Sequence, residues 1–399
     1  MPVKQQQRPT NGAPQQQQGP VIPFTRASRK KNAFSFSLGP TALVTGGVTS
    51  FNPIEIPAQG FLRKIRIEVT LTTAGNGAAT SFAADGPFNA LSTISVTNAA
   101  GDPLQVGMTG YQQFLTNKYG CHSSDAPWSD PRNDQQFTLV TGAGATGGSA
   151  HFFLDIPFET NPRDAFTAIP NLAANKSYLL QLQAAASSLI YGVAPTNPPT
   201  ITIVGTAFYW AQPKATNSRN VQQMRAPSGN GSVSLLRIQT PPVTPGDKYV
   251  QLTNVGNVIR YIIFVLRTAA GARSDADWPA TFQFIVNDDP MFYMPNTLWQ
   301  SDMSEAYGLL KGTTGGAAVA TKDAAGALDS GVYVLYQFMQ QQPTIGCDHP
   351  RDQYLPTLDA SKLQVRGTNW GATANTLEVI TNEIKPTSSA VLFSKGGAI

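Results

Sequence analysis

Apolar and polar residues alternate along several short stretches of the chain. The longest of these is residues 60–71, GFLRKIRIEVTL, in which Arg66, Glu68 and Thr70 separate apolar residues. Because successive side chains of a strand point to opposite faces, this period of two is typical of a strand with one face in a core. Shorter stretches predict further strands at residues 90–106, 136–140, 150–159, 177–184 and 200–210. The first half of the chain therefore predicts about eight strands.

A helix-like segment interrupts this pattern in each half of the chain. Residues 110–120 read GYQQFLTNKYG, and residues 298–308 read LWQSDMSEAYG. Both are polar for about two helical turns and end in Tyr-Gly. Each follows a strand pattern with an Asp-Pro turn, and the pattern of residues 60–75 returns at 257–271.

The spacing between equivalent positions is nearly constant. It is 187 residues for Asp102 and Asp289, 188 for Gly120 and Gly308, and 196 in the earlier strand pattern. A nearly constant offset, broken by differences in loop length, is what a duplicated unit leaves in a sequence. We therefore predict a module of about 180 residues that occurs twice.

Eight antiparallel strands with long loops in each module are typical of a jelly roll. The predicted fold class is therefore all-β: two tandem eight-stranded jelly rolls, with short helices in loops and an extended N-terminal arm. A stretch rich in Pro, Gly and Asn and without acidic residues separates the modules, as expected of a linker. The predicted boundaries are 1–34 for the arm, 35–215 for the first jelly roll, 216–232 for the linker and 233–399 for the second.

The charge of the chain is concentrated at one end. The formal net charge is +4, but residues 1–34 contain six basic residues and no acidic one, whereas the remainder has 22 basic and 24 acidic residues. The six cations of the arm are Lys4, Arg8, Arg26, Arg29, Lys30 and Lys31. Rich in Gln and Pro, the arm has little to bury and is predicted to be disordered until it contacts something else.

Two cysteines, Cys121 and Cys347, rule out a disulfide scaffold and favour folding in a reducing compartment. Whether they pair is left open. The longest strongly apolar run, YIIFVL at 261–266, is far shorter than the roughly 20 residues of a membrane span. We expect neither an integral membrane segment nor a signal peptide.

Residues 139–155, LVTGAGATGGSAHFFLD, contain a G-x-G-x-x-G motif at Gly142, Gly144 and Gly147. A dinucleotide site requires a helix directly after such a motif, so that its N-terminus can hold the pyrophosphate. Here a strand pattern follows instead. The motif therefore favours a hairpin loop, and no cofactor is predicted.

Other candidate chemistry is equally weak. Cys121-His122 and Cys347-Asp348-His349 could offer zinc ligands, but adjacent Cys and His residues chelate one metal poorly, and ordinary loop residues are favoured. A glycosidase needs two facing carboxylates, whereas the candidate acids lie in turn contexts where Asp caps backbone amides: Asp275, Asp277, Asp288 and Asp289. Three tryptophans offer sugar-binding surfaces, although packing is the commoner role: Trp128, Trp278 and Trp370. We predict no enzyme and no catalytic or metal residue.

The order of these segments carries a family resemblance. The basic arm precedes GFLRKIRIEVTL, which precedes GPFNALSTISV from Gly86 and then GYQQFLTNKYG. In this succession the chain resembles the double jelly-roll major capsid proteins of tectivirus-like bacteriophages, which are membrane-containing and icosahedral. The resemblance covers nearly the whole chain, although it lies in order and spacing, since no single motif is specific. The arm departs from the family pattern because it is rich in Pro and less helical.

The resemblance implies a structural protein of the virion, made in the host cytoplasm during assembly. Homotrimers would form pseudo-hexagonal capsomers that tile an icosahedral shell beside vertex (penton) and minor capsid proteins. The six cations of the arm would contact the internal viral membrane or neighbouring capsomers, and nucleic acid is a less favoured target. Deleting residues 1–34 is expected to spare the trimer and impair shell assembly or vesicle binding. The alternative is a β-sandwich receptor- or glycan-binding spike or lectin-like module.

Overall fold

The computed structural model describes most of both predicted modules. The described residues are 21–73, 80–120, 136–138, 149–173, 177–227, 229–253, 255–307, 330–336, 338, 351 and 354–387. Several residues singled out in the sequence lie outside them: Lys4, Arg8, Cys121, His122, Trp128, Gly142, Gly144, Gly147, Cys347, Asp348 and His349.

The first half of the chain forms thirteen strands within the described residues. Their bounds are β1 Lys30–Ala42, β2 Thr49–Ser50, β3 Ile54–Ile56, β4 Gly60–Thr72, β5 Ser81–Phe82, β6 Leu91–Thr97, β7 Pro103–Met108, β8 Gln136–Thr138, β9 Ser149–Pro157, β10 Ile169–Asn171, β11 Tyr178–Ala184, β12 Tyr191–Val193 and β13 Thr200–Trp210. One sheet has the order β1-β13-β4-β9-β8, with β10 also on β4. The opposite sheet begins with β2 and β3 side by side on β11, followed by β6 and β7. β5 and β12 pair separately.

The second half repeats this arrangement with nine strands among the described residues. Their bounds are β14 Val233–Gln239, β15 Gly246–Leu252, β16 Val258–Thr268, β17 Thr281–Val286, β18 Asp289–Pro295, β19 Val332–Leu335, β20 Leu355–Pro356, β21 Leu363–Trp370 and β22 Ala374–Lys385. One sheet has the order β14-β22-β16-β19, with β20 also on β16, and the other is β15-β21-β17-β18.

Equivalent strands occupy equivalent places in the two halves. β14, β22, β16 and β19 correspond to β1, β13, β4 and β9, while β15, β21, β17 and β18 correspond to β2/β3, β11, β6 and β7. The predicted double jelly roll is therefore confirmed. Alternation explains β4, where Ile65, Ile67 and Val69 are buried in the core and the intervening residues are half-buried.

Two of the helices in the described residues stand at the repeated positions. The helices are α1 Phe24–Ala27, the 3-10 turn Phe88–Ala90, α2 Gly110–Tyr119, α3 Ser187–Ile190 and α4 Asn296–Tyr307. α2 follows β7 and α4 follows β18, as the two helix-like segments predict. α2 starts with a capping box, in which Thr109 and Gln112 each hydrogen-bond the other's backbone N–H.

The described part of the predicted arm is folded onto the first jelly roll. Phe24 in α1 is buried against Phe61 and Trp210, and β1 already begins at Lys30. The folded part of the chain thus reaches further toward the N-terminus than the predicted boundary at residue 34. The physical reason is that one buried aromatic ring and a ladder of strand hydrogen bonds with β13 offset the cost of ordering this segment. An N-terminal deletion that is meant to leave α1 and β1 in place must therefore end before residue 21.

Candidate assembly surfaces

The two jelly rolls join along a seam, the contact between the first roll and the outer face of the β14-β22-β16 sheet. β7 of the first roll runs parallel to β14 of the second, with Gln105 opposite Leu236. This pairing merges one sheet from each roll into a single ten-stranded sheet. α2 is buried along its whole length, and it also contacts β16. The rolls therefore form one body with a shared core.

An ion-pair network crosses the seam. Asp85 of the first roll accepts from Arg267 and Arg273 of the second, each at 2.9 Å. Arg267 also donates to Glu378 at 2.9 Å, and the Gln112 amide of α2 donates to the same carboxylate at 2.5 Å. Burial lowers the pKa of the Arg267 guanidinium, but Glu378 and Asp85 more than offset this, and the net pKa is raised. Arg267 therefore stays charged between two carboxylates of different rolls, and these contacts fix the register of the two rolls.

An apolar contact supplements the network. Phe166, from the loop before β10, packs with Val258, Tyr354 and Ile384 of the second roll. The Arg351 guanidinium lies 3.8 Å from the centre of the Phe166 ring and is ion-paired with Asp164. The ring of a first-roll residue is thus enclosed by the second roll.

The structure describes four of the six predicted arm cations, and they lie where the arm joins the first jelly roll. Arg26 and Arg29 flank the end of α1, and Lys30 and Lys31 open β1. The Lys30 ammonium lies 5.5 Å from the centre of the Trp210 ring, and Lys31 donates to the Gln59 side chain at 3.4 Å. Arg26, Arg29 and Lys30 are exposed.

The structure adds three cations to this set: Arg219 and Arg225 of the predicted linker, and Lys214 just before it. The backbone of Ile22 exchanges hydrogen bonds with Gln222 and Met224, at 2.9 and 3.0 Å, so the arm lies against the linker. Six exposed cations from the two segments make up what we term the arm-root surface: Arg26, Arg29, Lys30, Lys214, Arg219 and Arg225. Within the described part of the chain, no carboxylate ion-pairs with these side chains. The acid-free linker was visible in the sequence, but nothing there indicated that it meets the arm.

A buried acid that hydrogen-bonds Trp210 lies close to this surface and is already engaged. Glu159 accepts from Arg63 at 2.8 Å and from the Trp210 indole at 2.5 Å. Burial raises the pKa of the Glu159 carboxyl, against the opposing influence of Arg63. Among the arm-root cations, Lys30 also lowers this pKa, so Glu159 offsets part of the charge of that one lysine.

The other candidate residues have structural roles where they are described. Asp275 accepts from the Gly331 N–H at 2.9 Å, and Asp277 accepts from Ser274 and from the Thr373 N–H. These hydrogen bonds, that of Ser274 first, lower the pKa of Asp277. Asp288 sits in the β17–β18 turn at positive φ and ion-pairs with Lys362, while Asp289 opens β18.

Trp278 and Trp370 are buried in the second core and expose at most 4% of their surface, so neither presents a sugar-binding face. The described residues contain no cluster of His, Cys, Asp or Glu that could hold a metal ion. Across the same residues, no helix is long and apolar enough to cross a membrane.

No protein-family model matches the chain, and no curated protein sequence matches it. Three solved structures share its architecture across nearly its whole length. The STIV MCP, from Sulfolobus Turreted Icosahedral Virus, is 11% identical with a TM-score of 0.56, covering 88% of this chain and 96% of its own. The PBCV-1 virus capsid is 11% identical with a TM-score of 0.52, over 90% and 93%. The Faustovirus major capsid protein is 10% identical with a TM-score of 0.50, over 90% of each.

These neighbours are double jelly-roll major capsid proteins. The fold of this chain is therefore the fold of that class, as the sequence predicts.

Proposed function

We propose that this protein is the major structural protein of an icosahedral virion, with a shell tiled by homotrimeric, pseudo-hexagonal capsomers. One observation carries the proposal: the two halves have the same strand order and are fused side by side through β7 and β14. One chain thus supplies two similar blocks, and three chains supply six. A threefold assembly with a sixfold outline fills a hexagonal lattice with one gene product. The architecture shared with capsid proteins of other viruses supports the same role.

The arm-root surface supports a more specific proposal for the inner side of the shell. Six exposed cations on a well-anchored segment would attract an anionic lipid surface by roughly 1 kcal/mol each at low salt. We assign this surface, together with Lys4, Arg8 and Lys31, to contact with an internal viral membrane, as in a tectivirus-like bacteriophage. Neighbouring capsomers are the second candidate partner, and encapsidated nucleic acid the third. Vertex and minor capsid proteins would complete the shell, which would be assembled in the host cytoplasm.

The oligomeric state of the purified full-length chain tests the proposal. Size-exclusion chromatography with light scattering is expected to give three times 42.5 kDa. A stable monomer would contradict the capsomer. A monomer that also binds an immobilised glycan panel would favour the alternative function, a receptor- or glycan-binding module.

A further inference from the structure

The loop between β9 and β10, residues 158–168, contacts two different parts of the molecule. Ala165 and Ala168 are buried in a small cluster with Phe24 of the arm. Phe166, which follows Ala165 directly, is buried in a separate cluster with residues of the second roll. Neighbouring residues of one short loop therefore join the arm on one side and the seam on the other.

On the arm side, the loop is held by packing and by a hydrogen bond. The Phe24 ring meets the Phe61 ring edge-on, with 5.1 Å between the ring centres, and both rings belong to the cluster that buries Ala165. The Thr25 hydroxyl donates to the Arg163 carbonyl at 3.0 Å. Phe24 and Thr25 are consecutive residues of α1, so both contacts depend on the position of that short helix.

On the seam side, the loop is held by the Phe166 ring and by an ion pair. The ring is 0% exposed and packs against Tyr354 and its neighbours in the second roll. Asp164, two residues earlier in the loop, pairs with the Arg351 guanidinium, which lies over the same ring. Both contacts place residues of the loop against the second roll, so they depend on the shape of the loop.

The backbone of the loop has a conformation that its residues rarely adopt on their own. Ala165 and Thr167, on either side of Phe166, have φ values of 58° and 63°, in the left-handed region. A β-branched residue there is an outlier, and such conformations persist only where surrounding contacts fix them. The Thr167 hydroxyl accepts from the Thr160 N–H at 3.0 Å and donates to the Phe158 carbonyl at 2.6 Å. The arm and the second roll, which pack on the residues between, supply further contacts.

We propose that this loop is a latch that couples the docking of the arm to the closure of the seam. Because Ala165, Phe166 and Thr167 are consecutive, the Phe166 ring keeps its place in the second roll only while its strained neighbours keep theirs. Loss of the α1 contact exposes Ala165, and the loop then relaxes and withdraws the ring. Coupling between two sites is reciprocal, so opening of the seam also loosens the arm.

A partner that binds the arm and orders α1 therefore also strengthens the contact between the two rolls. The latch contacts lie within one chain, so the coupling does not require the capsid role proposed above.

Hydrogen–deuterium exchange of the full-length chain, measured by mass spectrometry, tests the coupling in both directions. Phe24→Ala removes the arm contact and is expected to raise the exchange rate of the Tyr354 amide, in the Phe166 cluster, by roughly 10-fold. Phe166→Ala removes the seam contact and is expected to raise the exchange rate of the Ser28 amide by a similar factor. The Ser28 N–H donates to the Phe24 carbonyl at 2.8 Å and closes α1.

Phe152→Ala is the matched control. The Phe152 ring is also 0% exposed, but it belongs to the main core and to neither cluster of the latch. This variant is expected to leave the exchange rates of the Tyr354 and Ser28 amides unchanged. Far-UV circular dichroism should show the same β signal in all variants.

Unchanged exchange of the Tyr354 amide in Phe24→Ala would overturn the latch, because the arm and the seam would then be independent. Equal acceleration in Phe152→Ala would overturn it as well, since a general loss of stability would explain the effect. Should an alanine variant lose its β signal, Phe24→Leu and Phe166→Leu replace it in the same measurement. Each keeps most of the ring volume and is expected to accelerate exchange across the latch roughly 3-fold.

Discussion

Single residues at the seam make their contacts with residues that are far away in the sequence. Phe166 contacts Val258 and Ile384, which follow it in the chain by several strands. Gln112 and Glu378, which share a hydrogen bond, are 266 residues apart. In the sequence, Gln112 is one polar residue of a polar helix, and Glu378 one acid in an alternating strand. No local pattern indicates that they meet. The ion-pair network is therefore a feature that only tertiary structure reveals.

Replacing Phe166 tests the contribution of the seam to stability. Phe166→Ala is expected to lower the free energy of unfolding by roughly 3–5 kcal/mol, because it removes a buried ring and leaves a cavity. Phe166→Leu keeps most of the volume and is expected to cost roughly 1.5 kcal/mol or less. Urea unfolding followed by tryptophan fluorescence measures both. An equal, small effect of the two substitutions would show that the seam is not closed by this ring.

Individual elements followed from sequence where a local period was strong. β4 extends over Gly60–Thr72 against a prediction of 60–71, and α2 over Gly110–Tyr119 against 110–120. The predicted arm, residues 1–34, includes the beginning of β1, which starts at Lys30. The sequence did not indicate this strand, because Lys30 and Lys31 continue the basic pattern of the arm and Gly39-Pro40 interrupts the strand pattern. Its order comes from pairing with β13, about 170 residues later. Long-range pairing of this kind leaves no local signal.

The charge of the arm-root surface can be changed by substitutions that leave the hydrophobic core unaltered, because its cations are exposed. Arg26→Glu reverses one exposed cation, and Lys248→Glu, at an exposed lysine of β15, is the matched control. The change of two charge units at the arm root is expected to weaken binding to phosphatidylserine-containing vesicles by about 2 kcal/mol, roughly 30-fold, at low salt. Vesicle co-sedimentation measures this, with phosphatidylcholine vesicles as the neutral reference.

Removing residues 1–20, which include Lys4 and Arg8, should weaken vesicle binding further while leaving Phe24 and β1 in place. Equal binding by Arg26→Glu and Lys248→Glu would contradict a membrane role for the arm root. Binding of the unmodified chain to neutral and anionic vesicles alike would do the same, since the attraction is electrostatic.

At the scale of the whole molecule, the duplicated fold is the property from which the proposed assembly follows. Two sandwiches with one strand order are fused edge to edge, and among the described strands β1 and β18 are outer strands. The offset near 188 residues between the helices was enough to predict the duplication. It could not show which faces the two rolls use on each other, because that depends on residues far apart in the chain.

Electron cryomicroscopy of the purified full-length oligomer tests the central claim most directly. A threefold-symmetric particle with six similar lobes, two from each chain, is expected. A particle with twofold symmetry, or one in which each chain contributes a single lobe, would contradict it.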